Sequence, residues 1–434
     1  MITLLLSLPK LVVLVVVDQF RYDYLLDFKG HFLKDGFYEL INNGYVYTDC
    51  HHMHIPTYTA VGHATISTGV EPRIHGIISN HWYNRKKGKF SSSVDDPDFE
   101  KSPRNLSFPT IGDHLKVKHP KSKVISISLK DRAAILLGGY LADVVLWMDK
   151  DFKFTTTGYY KKPTWLEEYN KGLSIKSDED EIFKGNYALF ELFKEAVLRE
   201  NLGKDEFTDI ILVSFSSLDL AGHRFGPSSN EVKSLVLQMD TVISSMINFL
   251  NGNIGKGEYV LIFTSDHGVA PIPQRLGGRI NTKELKEELN KKLKEEFKVY
   301  PAILDISSPW VFIDYSKVKG DKLKRVKLRV KELLMGKDFV LRAYTSDEIM
   351  NLQPRDFIDS LVINGFYEGA GIDVVYVPKP YWIFSYEDGT NHGSPYFYDT
   401  HVPLIFYGLE KGKDQNRCSI TIISKRLREV LELP

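Results

Sequence analysis

The sequence predicts an α/β fold in which helices cover both faces of a largely parallel sheet. Three apolar, β-branched runs lack polar alternation, which is typical of strands buried on both faces. These runs are LVVLVVV (11–17), DIILVSF (209–215) and YVLIFT (259–264). Segments with helical spacing of apolar residues lie between such runs, for example 231–250. Strands that alternate with helices favour an α/β sandwich, and 434 residues with 43% hydrophobic content can bury a large core.

The other elements of this sandwich follow in chain order from the same patterns. KVISISL (123–129) predicts a strand and FELFKEAVLREN (190–201) predicts a helix. DVVYVP (373–378) and PLIFYG (403–408) predict two further strands of the sheet.

One stretch differs in texture from the rest of the chain. From about 279 to 367 the pattern changes to charged amphipathic helices around a strand, and none of the chemically suggestive motifs falls there. We therefore expect a catalytic core in two parts, 1–278 and 368–434, separated by an inserted cap or subdomain at 279–367.

The charge balance excludes some classes of partner. The chain has 56 basic and 56 acidic residues and a net charge of +0, so it has no general attraction for nucleic acid or anionic membranes. No stretch approaches the roughly 18 uninterrupted apolar residues of a membrane span. We expect a small-molecule substrate, no nucleic-acid partner and no stable membrane insertion. No pattern predicts the oligomeric state.

The N-terminus and the cysteines leave alternatives open. Residues 1–17 are apolar apart from Lys10 and faintly resemble an export signal, but they lack a basic leader and a cleavage site. We expect a periplasmic or secreted protein with a truncated or absent signal, or otherwise a cytoplasmic one. Cys50 and Cys418 either pair or stay free, and free thiols are favoured because nothing local brings them together.

Candidate metal ligands lie in four short segments, each after a strand-like run. Open α/β sheets bind ligands beyond the carboxyl ends of their strands. A single Asp after a strand is usually a turn residue. Here charged residues follow several strands, some with a neighbouring His, and this pattern favours a single shared binding site. Three Asp and three His suit two Zn²⁺ ions with open positions, and paired metals clamp phosphoryl groups. The candidates are Asp18, Asp219, His223, Asp266, His267 and His392.

A nearby segment, PTYTAVGHATISTG (56–69), offers a hydroxyl nucleophile. A threonine hydroxyl is a weak nucleophile at neutral pH, and a bound Zn²⁺ activates it because the ion lowers the pKa of the hydroxyl. The pattern predicts a helix that begins at Thr59, whose free N–H groups favour a nearby phosphate. Thr57 and Thr65 are alternatives, and spacing alone does not separate Thr57 from Thr59. The adjacent tract 50–54 has metal-site composition, although a loop lining the pocket is favoured.

The string PTYTAVGHATISTGVEPRIHGIISN (56–80) resembles the nucleophile segment of the alkaline phosphatase superfamily. The branch it resembles is shared by nucleotide pyrophosphatases/phosphodiesterases and phosphate-irrepressible alkaline phosphatases. The resemblance covers nearly the whole chain, least well 280–365, and selects Thr59 over Thr57. It implies an α/β/α sandwich of alkaline-phosphatase type with an inserted cap. The matching positions are Thr59, His63, Thr68–Gly69, His75–Gly76 and Asn80.

The same resemblance divides the ligands between two Zn²⁺ ions per chain. Within the last segment His401 competes with His392, and the spacing of the HG pair favours His392. One implied set is Asp18, Asp266, His267 and the Thr59 oxygen, and the other is Asp219, His223 and His392.

Three further residues, Asn80, Lys130 and Arg132, resemble the phosphate-irrepressible phosphatases in particular. An amide, an ammonium and a guanidinium suit the three non-bridging oxygens of a phosphate monoester. Without the resemblance, the sequence Lys130–Asp131–Arg132 favours a salt-bridged surface turn. We therefore expect a two-zinc phosphate monoester hydrolase, an alkaline phosphatase that forms a phosphothreonine. The alternative is a phosphodiesterase or nucleotide pyrophosphatase on the same site. A non-catalytic metal-binding protein is disfavoured, because a scaffold would not need Thr59.

Overall fold

The computed structural model describes residues 8–85, 87–273, 277–384 and 388–434. The strands include every apolar run predicted above. In chain order they are β1 (Leu11–Val17), β2 (Tyr45–His51), β3 (His81–Asn84), β4 (Lys89–Ser92), β5 (Asp95–Asp96), β6 (Glu100–Lys101), β7 (Val124–Ser128), β8 (Val144–Met148), β9 (Phe154–Thr155), β10 (Asp209–Phe215), β11 (Tyr259–Thr264), β12 (Gly278–Arg279), β13 (Ile303–Ser307), β14 (Trp310–Ile313), β15 (Val340–Thr345), β16 (Val374–Pro378), β17 (Trp382–Ile383), β18 (His401–Tyr407), β19 (Gly412–Asp414) and β20 (Cys418–Ser419).

Helices fill most of the long connections between these strands. In chain order they are α1 (Tyr24–Asp27), α2 (Phe37–Asn43), α3 (Thr59–Thr68), α4 (Pro72–His75), α5 (Ile111–Lys118), α6 (Asp131–Gly138), α7 (Leu166–Gly172), α8 (Asp178–Arg199), α9 (Ser217–Phe225), α10 (Asn230–Asn253), α11 (Thr282–Phe297), α12 (Asp321–Met335), α13 (Ser346–Ile349), α14 (Phe357–Gly365), α15 (Phe397–Thr400) and α16 (Ile422–Val430). Ser177 and Ser229 begin the two longest, α8 and α10, because each hydroxyl accepts a hydrogen bond from an N–H of the first turn.

A ten-stranded sheet forms the centre of the described molecule, in the order β19–β2–β18–β11–β1–β10–β7–β8–β9, with β20 beside β2. Strand β1 lies between β10 and β11 and is parallel to both. The register pairs Val17 with Phe215 and Val16 with Thr264, so the carboxyl ends of the three strands lie side by side. The segments that follow these strands therefore meet at one edge of the sheet.

Both faces of this sheet are covered, as the absence of alternation predicts. The odd-numbered residues of β1 pack into one apolar cluster with α8 and α10. The even-numbered residues pack into a second cluster with α5, α6 and α16. The predicted sandwich with a largely parallel sheet is confirmed.

A second, four-stranded sheet has the order β13–β14–β16–β15 and carries α11 and α12 on one face. The apolar run at 373–378 predicts a strand of the main sheet. Strand β16 (Val374–Pro378) lies instead at the centre of the small sheet, so that assignment is wrong. The reason is physical: alternate residues of β16 pack into two different clusters, and an apolar run buried on both faces reads the same in either sheet.

Among the described residues, no helix is both long enough and apolar enough to cross a bilayer.

Candidate active site

The edge of the sheet at the ends of β1, β10 and β11 gathers the predicted metal ligands. Asp18 directly follows β1, and Asp219 lies in the first turn of α9, which begins two residues after β10. Asp266 and His267 follow β11 by one residue. Parallel pairing of the three strands therefore places carboxylates from three distant parts of the chain in one region.

The first ligand cluster consists of Asp18, Asp266 and His267. Their candidate ligand atoms all lie within 4.8 Å of one another. The Nε2 atom of His267 is 3.4 Å from Oδ1 of Asp18 and 3.3 Å from Oδ2 of Asp266. The hydroxyl of Thr59 is 3.5 Å from the same Nε2 atom, so the predicted nucleophile lies beside this cluster.

The second ligand cluster consists of Asp219, His223 and His392. Asp219 and His223 lie on one face of α9, with Nε2 of His223 3.1 Å from Oδ1 of Asp219. Nε2 of His392 is 3.7 Å from the same oxygen. The rings of His267 and His392 stack with centroids 3.6 Å apart, so the two clusters are adjacent.

Each of the three histidines is oriented by a backbone carbonyl. The Nδ1 atom lies 2.9 Å from Thr390 O in His223, and 2.6 Å from Thr57 O in His392. In His267 it lies 2.9 Å from the carbonyl of the next residue. A carbonyl can only accept, so Nδ1 carries the proton and donates, and Nε2 keeps a free lone pair. This is the usual arrangement of histidines that bind metals.

The buried charges of the site call for cations. Asp18, Asp219 and Asp266 are at most 3% exposed. Burial, together with the other two carboxylates, raises the pKa of Asp18 well above its usual range. Oδ1 of Asp18 and Oδ2 of Asp266 have no hydrogen-bond partner among the described residues. Orphaned oxygens, free Nε2 atoms and excess negative charge fit a pair of divalent metal ions.

Lys130 partly neutralises this charge. Its ammonium lies 2.5 Å from Asp18 and 2.5 Å from Asp219, and therefore bridges the two clusters. Burial opposes the charged form of Lys130, but the two carboxylates outweigh it and raise its pKa. Burial also opposes the charged form of Asp219, but His223 and Lys130 hold its pKa well below the usual range.

Thr59 is the first residue of α3 and is 2% exposed. The two alternatives have other partners. The Thr57 hydroxyl donates to Ser394 O at 3.3 Å and accepts from the N–H of Gly393. The Thr65 hydroxyl donates to Val61 O within its own helix. The structure thus places the Thr59 hydroxyl, rather than that of either neighbour, beside the first ligand cluster.

Asn80 lies beside the start of α3, and Arg132 lies two residues after Lys130. Oδ1 of Asn80 accepts a hydrogen bond of 2.8 Å from the N–H of Ala60, so its amide nitrogen remains the free donor. Lys130 immediately precedes α6, and Arg132 is the second residue of that helix. The Arg132 Nε atom is buried without a hydrogen-bond partner in the described chain. A guanidinium with an unused donor is suited to bind an anionic oxygen.

A third group of possible ligands, Asp49, His51 and His401, shares no residue with the two clusters. His401 donates from Nε2 to Thr48 O at 3.0 Å, and its ring stacks on that of His51. His51 is itself 2.7 Å from Asp49. These side chains have partners within the protein, and the structure places His392, not His401, beside Asp219.

Two residues that contact the ligands, Gln19 and His63, are not among the predicted site residues. Gln19 adopts a left-handed backbone (φ 69°), and its N–H donates to Asp266 at 3.2 Å while its side-chain amide donates to Asp219 at 2.6 Å. His63 has Nδ1 2.7 Å from the carbonyl of Thr59 and 3.2 Å from Asp266. The motif contained His63, but no sequence pattern predicts the backbone of Gln19, because a non-glycine residue seldom adopts it.

The fold and the paired Asp/His clusters define a class of protein, and comparison identifies it. The chain matches the type I phosphodiesterase/nucleotide pyrophosphatase family over residues 12–401. It belongs to that family, which lies within the alkaline phosphatase superfamily, and it is a phosphoric ester hydrolase. The superfamily predicted from the motifs is confirmed.

Individual relatives point in the same direction. The chain is 29% identical to alkaline phosphatase PafA of Elizabethkingia meningoseptica over 98% of this chain and 92% of that protein. It is 30% identical to alkaline phosphatase PhoV of Synechococcus elongatus over 98% of this chain and 90% of that one. The crystal structure of wild-type PafA matches with a TM-score of 0.93 at 29% identity, covering 99% and 97% of the two chains.

Proposed function

We propose that this protein is a two-zinc phosphate monoester hydrolase, an alkaline phosphatase with Thr59 as its nucleophile. One observation carries the proposal: the Lys130 ammonium lies between the two ligand clusters, with the free guanidinium nitrogen of Arg132 two residues further on. Both clusters are compatible with hydrolysis of monoesters or diesters. Two adjacent cations favour the group that carries more charge.

The ligand clusters would hold the two Zn²⁺ ions. Bound zinc would supply Lewis-acid activation of the nucleophile and of the leaving oxygen. A mixed set of imidazole and carboxylate donors suits zinc among the first-row metals. The first set is Asp18, Asp266, His267 and the Thr59 oxygen, and the second is Asp219, His223 and His392.

Thr59 performs the chemistry in two displacements. Its Oγ1 atom forms a bond to phosphorus as the bond to the leaving oxygen breaks, which yields a phosphothreonine. Water then attacks phosphorus and releases phosphate and the free hydroxyl. Each displacement is in line, so the configuration at phosphorus is retained overall. The leaving group departs on the side of the second cluster, whose His223 side chain is 36% exposed and so borders solvent.

Three side chains bind the phosphoryl oxygens. Asn80 donates from its amide nitrogen, because Oδ1 is already bonded to the N–H of Ala60. Cations in both clusters would neutralise Asp18 and Asp219, which frees Lys130 to bind an oxygen. Arg132 supplies a further charged donor. A crystal structure of a PafA variant with Thr, Asn, Lys and Arg substituted matches this chain with a TM-score of 0.91, and the Lys and Arg are spaced as here.

A panel of matched substrates tests the proposal. We expect the purified protein in zinc buffer to cleave an aryl phosphate monoester much faster than the corresponding diester or sulfate. Measured kcat/KM values decide the outcome. Faster cleavage of the diester would support the second candidate, a phosphodiesterase or nucleotide pyrophosphatase, which the name of the matching family favours.

A double variant, Lys130→Ala with Arg132→Ala, tests the two residues on which the preference for monoesters over diesters depends. Charged hydrogen bonds contribute about 1.5–3 kcal/mol each, so loss of both should lower the monoester rate by a factor of roughly a hundred or more, allowing for non-additivity. The rate of diester hydrolysis should fall far less, because a diester carries less negative charge. Lys162→Ala is a control, because its exposed ion pair with Glu167 is far along the chain from any ligand. Equal losses on both esters would overturn the assignment.

A further inference from the structure

The two cysteines of the chain, Cys50 and Cys418, lie on neighbouring strands. Strands β2 and β20 are parallel, and their register pairs Cys50 directly with Cys418 and His51 with Ser419. Residues directly opposite each other on adjacent strands point to the same face of the sheet. The fold therefore brings together two thiols that the local sequence gives no reason to connect.

We propose that Cys50 and Cys418 are a redox-active pair that forms a disulfide between β2 and β20. Adjacent strands lie about 4.7–4.9 Å apart, which is within the range of about 4.4–6.8 Å between the Cα atoms of a disulfide. The usual spacing of paired strands is therefore compatible with this bond.

The oxidant we assign is a small-molecule disulfide. Cys418 is half-buried and Cys50 is fully buried, so Cys418 is the thiol that solutes reach. The Cys418 thiolate attacks the small disulfide and releases one small thiol. The Cys50 thiolate then attacks the Cys418 sulfur of the mixed disulfide and releases the second. Two protein thiols are oxidised, and one disulfide is reduced to two thiols. Burial and the adjacent Cys418 thiol raise the pKa of Cys50, which makes this second step slow.

The cross-link would fasten β20 and the helix that follows it to strand β2 of the main sheet. Among the described strands, β20 pairs only with β2, and it leads directly into α16. Helix α16 packs against α3, where a Cβ built on Gly69 would lie 2.4 Å from the Cβ of Ser424. The bond would therefore stabilise the packing behind the helix that begins with Thr59. It would also close a loop of most of the chain, which restricts the unfolded state.

Oxidation of the full-length protein with glutathione disulfide tests the proposal. After quenching in acid, unfolding and alkylation, we expect a cross-linked peptide that contains both cysteines, with two hydrogens fewer than the reduced pair. The oxidised protein should have an apparent unfolding temperature higher by on the order of 5 °C at a fixed scan rate. Reduction should reverse both changes.

Two variants make the outcome specific. Cys418→Ser should lose the temperature shift and leave Cys50 unreactive, and Cys50→Ala should accumulate a stable glutathione adduct on Cys418. Reduced wild-type protein is the reference for folding. The proposal is overturned if both thiols are alkylated after prolonged oxidation, if the wild type stops at the glutathione adduct, or if the only disulfide joins two chains. None of these measurements depends on the phosphatase proposal.

Discussion

At the scale of single residues, the contacts behind the ligands define the site as much as the ligands do. His392 comes from a loop, and its ring is oriented by the 2.6 Å contact of Nδ1 with Thr57 O and by stacking on His267. Gln19 similarly connects the two clusters, since it donates to Asp266 and to Asp219. Such contacts decide which nitrogen or oxygen is presented to a cation.

Thr59→Ala should abolish turnover while the fold and the ligand clusters persist. The nucleophile is lost, so we expect the rate to fall on the order of 10³-fold or more. Phosphate release measures this, and trapping of labelled phosphoenzyme in acid locates the intermediate. Thr57→Ala is the matched control and should cost less than about tenfold, because it removes only ordinary hydrogen bonds. A label on Thr57 would refute the assignment.

Gln19→Ala should weaken zinc binding by about 10- to 100-fold, which is the usual effect of losing a group that orients a ligand. Competition with a chromophoric chelator measures the affinity directly. Gln19→Gly is the informative companion, because glycine keeps the left-handed backbone and removes only the side chain. If Gly restores wild-type affinity while Ala does not, backbone strain is the cause and the side-chain contact has no role.

At the scale of elements, α3 is constrained on all sides. Every residue of this helix is buried, which leaves it no solvent face. Gly62 lies directly against the segment after β11: a Cβ added there would lie 2.1 Å from the carbonyl oxygen of Asp266. The helix that bears Thr59 and the segment that bears two ligands are therefore in backbone contact.

Gly62→Ala should destabilise the protein, although alanine favours helices by about 1 kcal/mol over glycine. The steric effect wins because the opposing atom belongs to the backbone and cannot rotate away. We expect a loss of about 1–3 kcal/mol in the free energy of unfolding and weaker zinc binding. Gly30→Ala is the control, since nothing lies within 4 Å of its added Cβ. Unchanged unfolding and zinc affinity in Gly62→Ala would contradict the close packing.

At the scale of the whole molecule, the small sheet shares an apolar cluster with the main sheet. Trp310 and Val375 of that sheet belong to the same apolar cluster as Val12 of β1. The Trp310 indole also donates to Ile78 O at 2.8 Å, two residues before Asn80. The small sheet thereby supports a residue of the candidate site.

Removal of the metals should affect the whole protein. A chelator should abolish activity, Zn²⁺ should restore it, and elemental analysis should find about two ions per chain. The apo protein should also unfold at lower temperature, because ions present at about 1,000 times their Kd stabilise the fold by about 4 kcal/mol. Full activity with one tightly bound ion, or after complete chelation, would contradict the proposal of two catalytic metal ions.

Features that depend on local sequence were predicted, and the placement of a strand in one sheet or another was not. The strands of the main sheet and the segments with candidate ligands were predicted from contiguous sequence. Each is an apolar run that charged residues follow directly. Asp18 after β1 and Asp266 after β11 are such cases. The assignment of 373–378 to the main sheet was wrong because burial on both faces does not tell one sheet from another.

The sequence by itself determined the class of fold and the superfamily, and it named the candidate residues for binding metal and phosphate. Only the tertiary structure decided how they meet: β16 lies in the small sheet, Lys130 between the two clusters, Gln19 in a left-handed backbone, and Cys50 opposite Cys418. Local patterns report secondary structure and burial. The pairing of distant strands depends on the energy of the whole packed core, which no single segment contains.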